Sequence, residues 1–149
     1  MKKYISTKKW KTGFSCAFRQ WKADSHCKYI HGYALTIKYT FIAESLDYRN
    51  WVVDFGELKS LKSSLENVFD HKTVIAKDDP ELDYFKKGHE LGILDLIVIE
   101  DVGCEKFAEL CHILGNHWLM EKGYYPRCKV LQVEVSEHDA NSAIFFEND

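Results

Sequence analysis

Proline is nearly absent from this chain, with two in 149 residues, and glycine is sparse at eight. So few chain-breaking residues exclude collagen-like and low-complexity linker sequence. Cysteine occurs at positions 16, 27, 104, 111 and 128, an odd number with no Cys-x-x-Cys pair. That pattern encodes neither a disulfide framework nor a zinc knuckle and suits a reducing compartment. Excess positive charge is missing too, since 20 Lys and Arg against 23 Asp and Glu give a net charge of −3. With a pI near 6.2, non-specific attraction to nucleic acid or an anionic membrane is not expected. No apolar run approaches the ~20 residues that cross a bilayer. The first ten residues carry the charge of a secretory leader, as in Lys2, Lys3, Lys8 and Lys9, without the apolar stretch that follows one. The expectation is a cytoplasmic protein with no nucleic-acid or membrane partner.

Apolar residues are plentiful at 46%, and aromatics make up 14%. A single domain covering 1–149 buries roughly 70% of its unfolded surface, enough for a core without metal or disulfide staples. Over residues 10–18, Trp10, Thr12, Phe14, Cys16 and Phe18 alternate with smaller or polar residues. Tyr33, Leu35, Ile37, Tyr39 and Phe41 do the same over residues 31–41. Both read as half-buried antiparallel strands. Asp54, with Glu57 three residues on, resembles a capping box, and Phe55, Leu58, Leu61, Leu65 and Val68 mark the face of the helix it opens. A charged stretch follows, with a short helix after Pro80 and a short strand over residues 95–100. A second main helix is expected over residues 104–121, with Phe107, Leu110, Cys111, Leu114 and Trp118 on its apolar stripe, stopped by Gly123 and Pro126. Strands over 128–137, with Leu131, Val133 and Val135 inward, and 142–147 close the chain. The expected class is α+β in ββααββ order: a four-stranded antiparallel sheet with two helices on one face.

Several residues could carry chemistry. Cys27, preceded by His26, ends a polar loop, and His31-Gly32-Tyr33 opens the second strand. A thiol beside an imidazole can act as base or nucleophile. Asp70-His71 falls where the first helix runs out, and such a carboxylate–imidazole pair can relay protons. Glu137 ends a strand, where a carboxylate can take two hydrogen bonds from a guanidine-like edge. Taken singly, each residue reads first as something blander: Cys27 as packing, His31 as a satisfied structural histidine, Asp70-His71 as a polar helix end and Glu137 as a solvated carboxylate. His112 and His117, five apart on a helix, do not share a face.

Their order is more specific. Cys27-x-x-x-His31-Gly32, then Val53-Asp54-Phe55-x-x-Leu58-Lys59, Asp70-His71, Glu105 and Glu137 resemble the 6-pyruvoyl-tetrahydropterin synthase / 6-carboxytetrahydropterin synthase family over nearly the whole chain. The resemblance implies the tunnelling fold, in which four-stranded sheets of three subunits close a barrel and two trimers commonly stack. It implies a lyase acting on 7,8-dihydroneopterin triphosphate or a close relative, of the kind that serves queuosine or tetrahydropterin formation. Carried over by position, Cys27 is the base, Asp70 and His71 the relay, Glu137 the pterin anchor and Glu105 a second substrate contact at a helix start. Arg19 could meet a phosphate or carboxylate of the substrate. The family's zinc ion is held by three histidines, and here the sequence departs from it. His31 stands at one ligand position, while Phe18 and Tyr33 occupy the other two. Val102-Gly103 replaces the family's Pro-Thr before the helix glutamate. One imidazole does not make a catalytic zinc site, which takes three protein ligands. The expectations are therefore a divergent pterin-processing enzyme with an altered zinc site, a non-catalytic pterin- or purine-binding relative, or a metal-free enzyme with a new reaction built around Arg19, Tyr33 and Cys27, in each case a homo-oligomer, trimer or hexamer.

Overall fold

The alternating run over residues 10–18 is a strand only from Phe14 to Phe18, and a strand that the pattern does not announce precedes it. The computed structural model describes residues 2–148. β1 (Tyr4–Lys9) and β2 (Phe14–Phe18) both pair antiparallel with the long β3 (His31–Ala43). Between them, residues 10–13 stand opposite only Thr36 and Ile37 of β3, so the strand buckles. The buckle turns Trp10 into the core, edge-on to Phe14 and Tyr39 at 6.2 and 6.1 Å. It also presses Gly13 against β3, where a Cβ would lie 2.6 Å from the Ala34 carbonyl oxygen.

The chain continues through α1 (Leu58–Phe69), β4 (Lys72–Ala76), α2 (Leu82–Glu90), β5 (Leu96–Ile99), α3 (Cys104–Glu121), β6 (Cys128–His138) and β7 (Asn141–Phe146). The sheet runs β5-β4-β2-β3-β6-β7, with β1 continuing the β2 side of β3. The expected sheet of four antiparallel strands with two helices is thus corrected to a mixed sheet of seven strands with three helices among the described residues. β1, β3, β6 and β7 form its antiparallel part, whereas β2–β4 and β4–β5 are parallel. The α+β class holds. β4 and β5, joined through α2, make a small parallel crossover beside β2.

Leu35, Ile37, Tyr39 and Phe41 of β3 meet Leu58, Leu61, Leu65 and Phe69 of α1 and Phe107, Ala108, Cys111 and Leu119 of α3 in one core. The buried Tyr39 hydroxyl donates to the Cys111 carbonyl at 2.6 Å, so its polar end is satisfied where water cannot reach. Trp118 Nε1 donates to Ser60 Oγ at 2.7 Å and ties α3 to α1.

Two local expectations change. Asp54 accepts from Gly56 N–H at 2.8 Å, closing a turn ahead of α1 rather than capping the helix. Phe55 is left exposed, and Glu57 accepts instead from the Tyr124 hydroxyl at 2.7 Å. In β6 the register slips between Thr40, opposite Gln132, and Phe41, opposite Val130. Leu131 is the extra residue of this bulge, so Val130 takes the buried position and Leu131 is half-buried. Among the described residues, no helix is long and apolar enough to cross a membrane.

Candidate active site

Strand register assembles the first wall of the site. Phe18 of β2 lies directly opposite His31 of β3, and Tyr33, two residues on, shares that face. The ring centroids stand 5.8 Å apart for Phe18–His31, 5.2 Å for His31–Tyr33 and 6.0 Å for Phe18–Tyr33. Phe107 of α3 packs edge-on against Phe18 at 5.0 Å and fixes that ring. His31 Nδ1 lies 2.6 Å from the Tyr29 carbonyl oxygen; donation to it sets the tautomer and leaves Nε2 as the acceptor.

The loop between β2 and β3 brings Cys27 to this wall. Gln20 N–H donates to the Cys27 carbonyl at 3.0 Å, and a single 3-10 turn over His26–Lys28 presents the side chain. The opposite wall comes from the start of α3 and the end of β6. There Phe18, Cys27, His31, Cys104, Glu105 and Glu137, with the β6–β7 hairpin at 141–143, line one cavity of about 310 Å³. Its field is negative. Burial, and then the charge of Glu137, pushes the Tyr33 phenol up from its ordinary value. The Cys104 thiol is pushed up to about 12, by burial first and then by the charges of Glu137 and Glu105 and a hydrogen bond to Glu137.

Four sequence candidates, Cys27, His31, Glu105 and Glu137, therefore share a cavity. Asp70 and His71 do not line it. Asp70 Oδ1 accepts from Ser15 N–H at 3.0 Å and Oδ2 lies 3.1 Å from His71 Nδ1. Burial would raise the Asp70 pKa, but the hydrogen bonds from Ser15 and His71 and the charges of His71 and Lys62 outweigh it and hold it low. The His71 side chain is 83% exposed, on a residue with φ of 58°. Arg19 also lies outside the cavity. Its Nε and Nη2 donate to Asp79 at 2.9 and 2.7 Å, and Nη1 donates to the Lys28 carbonyl at 3.1 Å.

Cys104 was not singled out by sequence, although it directly precedes Glu105 at a helix start. A lone thiol there reads as packing. The hairpin residues Asn141 and Ser142 had no signal beyond their turn-like composition.

A sequence profile of 6-pyruvoyl tetrahydropterin synthase matches residues 7–148. The chain belongs to this family. No curated protein matches it by sequence. Among solved structures, an uncharacterized protein from Wolinella succinogenes is similar at 20% identity, with a TM-score of 0.83 over 99% of this chain and 100% of its own. The 6-pyruvoyl tetrahydropterin synthase of Plasmodium vivax is similar at 15% identity and TM-score 0.68, over 98% of this chain and 99% of its own. That of Caenorhabditis elegans gives 16% and 0.67, over 99% and 98%. At these identities the likeness is one of fold.

Enzymes of the 6-pyruvoyl tetrahydropterin synthase family are lyases, typically zinc-dependent. The donor set here does not fit a three-histidine zinc site. Phe18 offers no lone pair, and the Tyr33 phenol is held towards its protonated form. Only His31 of the aromatic trio presents a free imidazole nitrogen.

Proposed function

We propose that this protein takes a pterin, or a purine-like heterocycle with the same edge chemistry, into the cavity between Cys27 and Glu137. There it processes the ring's side chain as a carbon–oxygen lyase of the 6-pyruvoyl tetrahydropterin synthase type. One observation carries the reading: Cys27, His31, Glu105 and Glu137, separate in sequence, line a single cavity. The substrate is 7,8-dihydroneopterin triphosphate or a close relative.

Each role follows from chemistry. The Glu137 carboxylate accepts two hydrogen bonds from the amino and ring N–H of the pterin and fixes the ring in the cavity. Cys27, as thiolate, takes a proton from the substrate side chain held beside His31. Asp70 and His71 relay protons from a neighbouring subunit, because within their own chain they lie outside the cavity and the imidazole faces solvent. This role requires a homo-oligomer, a trimer or hexamer.

A second reading has its own observation. Phe18 places a ring without donor atoms where a metal ligand would stand, which favours a pterin-binding protein without turnover. Zinc analysis and a turnover assay on one preparation separate the two. Turnover supports the lyase, with or without zinc. Pterin binding without turnover supports the second reading. Absence of any pterin binding by folded, assembled protein overturns both.

A further inference from the structure

We infer that His138 is the positioning residue of the pterin anchor: its imidazole closes the β6–β7 hairpin, and that closure keeps Glu137 aimed into the cavity. The inference rests on the pterin reading above and goes beyond it by naming what holds the anchor in place.

Register supplies the first observation. β6 and β7 pair with Ser136 opposite Ser142 and His138 opposite Asn141. A two-residue step along β6 therefore matches a one-residue step along β7, and Glu137 is the extra residue of a bulge. Such a residue has no cross-strand partner, so the local bend of the strand sets its direction. From this position Glu137 lines the cavity. Its aim is only as fixed as the turn that follows it.

That turn is a poor one by its own sequence. Asp139 and Ala140 connect the paired His138 and Asn141. Two-residue hairpin loops favour positive φ at the first central residue or at both, because that matches the twist of the flanking strands. Among the described non-glycine residues, positive φ occurs at Asn50 and His71 alone. Neither Asp139 nor Ala140 has it, and the hairpin needs a closure from elsewhere.

His138 supplies one. Its Nδ1 accepts from the Ala140 N–H at 3.2 Å, the same two-residue reach that an Asn or Asp side chain makes in an Asx turn. With Nδ1 accepting, the neutral ring carries its proton on Nε2, which lies 3.3 Å from the Asn141 side-chain amide. Either end of that amide can face the ring, and this tautomer calls for its oxygen. The imidazole also stands 6.4 Å from the Tyr33 ring, centre to centre, so the hairpin leans on the aromatic wall that carries His31. Asn141 lines the cavity together with Glu137. The residue next to the anchor in sequence thus ties the turn, the far strand and the opposite wall to one another.

Calorimetry with 7,8-dihydroneopterin triphosphate, kept anaerobic, tests this on the assembled protein carrying Cys27→Ala, so that the ligand binds without turnover. His138→Phe keeps a ring beside Tyr33 and removes both ring nitrogens. It should weaken binding about three- to tenfold, the worth of one hydrogen bond. His138→Asn restores an acceptor for the Ala140 N–H and should bind within about twofold of the protein with His138. Where Glu137→Gln is also present, His138→Phe should cost nothing further, because it acts through the anchor. A role confined to stability would instead lower the melting temperature and weaken binding by the same factor with or without Glu137→Gln. That result overturns the inference, as does full affinity in His138→Phe or a failure of His138→Asn to restore binding, and each leaves the pterin reading standing. No binding to the Cys27→Ala protein with His138 intact overturns the pterin reading itself.

Discussion

Arg19 grips Asp79 through two parallel hydrogen bonds, Nε at 2.9 Å and Nη2 at 2.7 Å, in a site where the Asp79 side chain is 1% exposed. The pair pins the start of the Cys27 loop to the turn before α2. Burial by itself would raise the Asp79 pKa. Hydrogen bonds from Arg19 and the Glu81 N–H, with the Arg19 charge, more than offset it, so the pKa is lowered. A depressed carboxylate contributes stability that is fully present above the unfolded value of about 4. That stability is lost as pH falls through the lower native value. Asp79→Asn should therefore destabilise the protein at neutral pH and flatten its stability profile below about pH 4. Asp79→Ala, which strands a largely buried guanidinium, should cost about 3 kcal/mol. Urea melts at several pH values give both numbers.

Gly115 of α3 faces Tyr39 and Val130, and an added Cβ would fall 2.5 Å from Tyr39 Cε1 and 2.9 Å from Val130 Cγ2. Helix propensity favours Gly→Ala by about 1 kcal/mol, while overpacking a core costs about 1–3 kcal/mol. Tyr39 is fully buried and its hydroxyl is anchored on Cys111, so it has little room to give. Overpacking wins. Gly115→Ala should lower the melting temperature, and an increase would mean that the α3–β3 contact is looser than described.

The elements with strong periodicity were legible. α3 runs from Cys104 to Glu121 as its apolar stripe and Gly123 predict, and β3 follows the alternation of Tyr33 to Phe41. β1 was not legible because Ser6, Thr7, Lys8 and Lys9 show no apolar alternation; it is a strand because β3 is long enough to pair beyond the buckle. β4 was missed because a five-residue run, mostly buried, has no period to read. Leu131 was placed inward because the pattern cannot announce a bulge. In the site, the order of Cys27, His31, Glu105 and Glu137 was visible, and the cavity they line is a product of register and loop geometry. The distance of Asp70 and His71 from that cavity was not visible, because sequence order says nothing of which face a helix end presents.

Phe18 and Tyr33 set up a gain-of-function test. Both share a face with His31, and the three rings lie within 6.0 Å of one another. The purified protein should hold well under one zinc per subunit. Phe18→His combined with Tyr33→His should raise zinc affinity sharply, read by competition against a chromophoric chelator. The variant gives up the Phe18–Phe107 edge contact, so its melting curve should be recorded with and without zinc. Stoichiometric zinc in the unmodified protein would refute this and require other ligands.

Glu137→Gln tests the anchor independently of metal. A charge-assisted bidentate contact contributes about 1.5–3 kcal/mol, so this change should weaken pterin binding roughly ten- to a hundredfold. Glu134, three residues earlier on β6, accepts from Ser142 Oγ at 2.8 Å and does not line the cavity. Glu134→Gln should have little effect. Equal and negligible losses from both variants would remove Glu137 from the site.

Assembly is the last test, and it follows from edges and faces left open in one chain. β1 pairs only with β3, and β7 only with β6. The backbone groups on their far sides therefore have no strand partner among the described residues. Ile5 of β1 and Ile144 and Phe146 of β7 are exposed on these same strands. Beside β1, a groove of about 460 Å³ is lined by Tyr4, Ile5, Trp51 and Phe55. Open edges flanked by apolar side chains pair with other chains, either indiscriminately or in a closed ring. Closure also brings a neighbour's surface towards each cavity, as the role proposed for the exposed Asp70–His71 pair requires. Light scattering at micromolar concentration should report a trimer or hexamer. In such an assembly, mixing inactive Cys27→Ala subunits with inactive His71→Ala subunits should restore part of the turnover, because some sites then combine an intact Cys27 from one chain with an intact His71 from another. A stable monomer would contradict the assembly, and an oligomer without complementation would place both residues in the same chain's site.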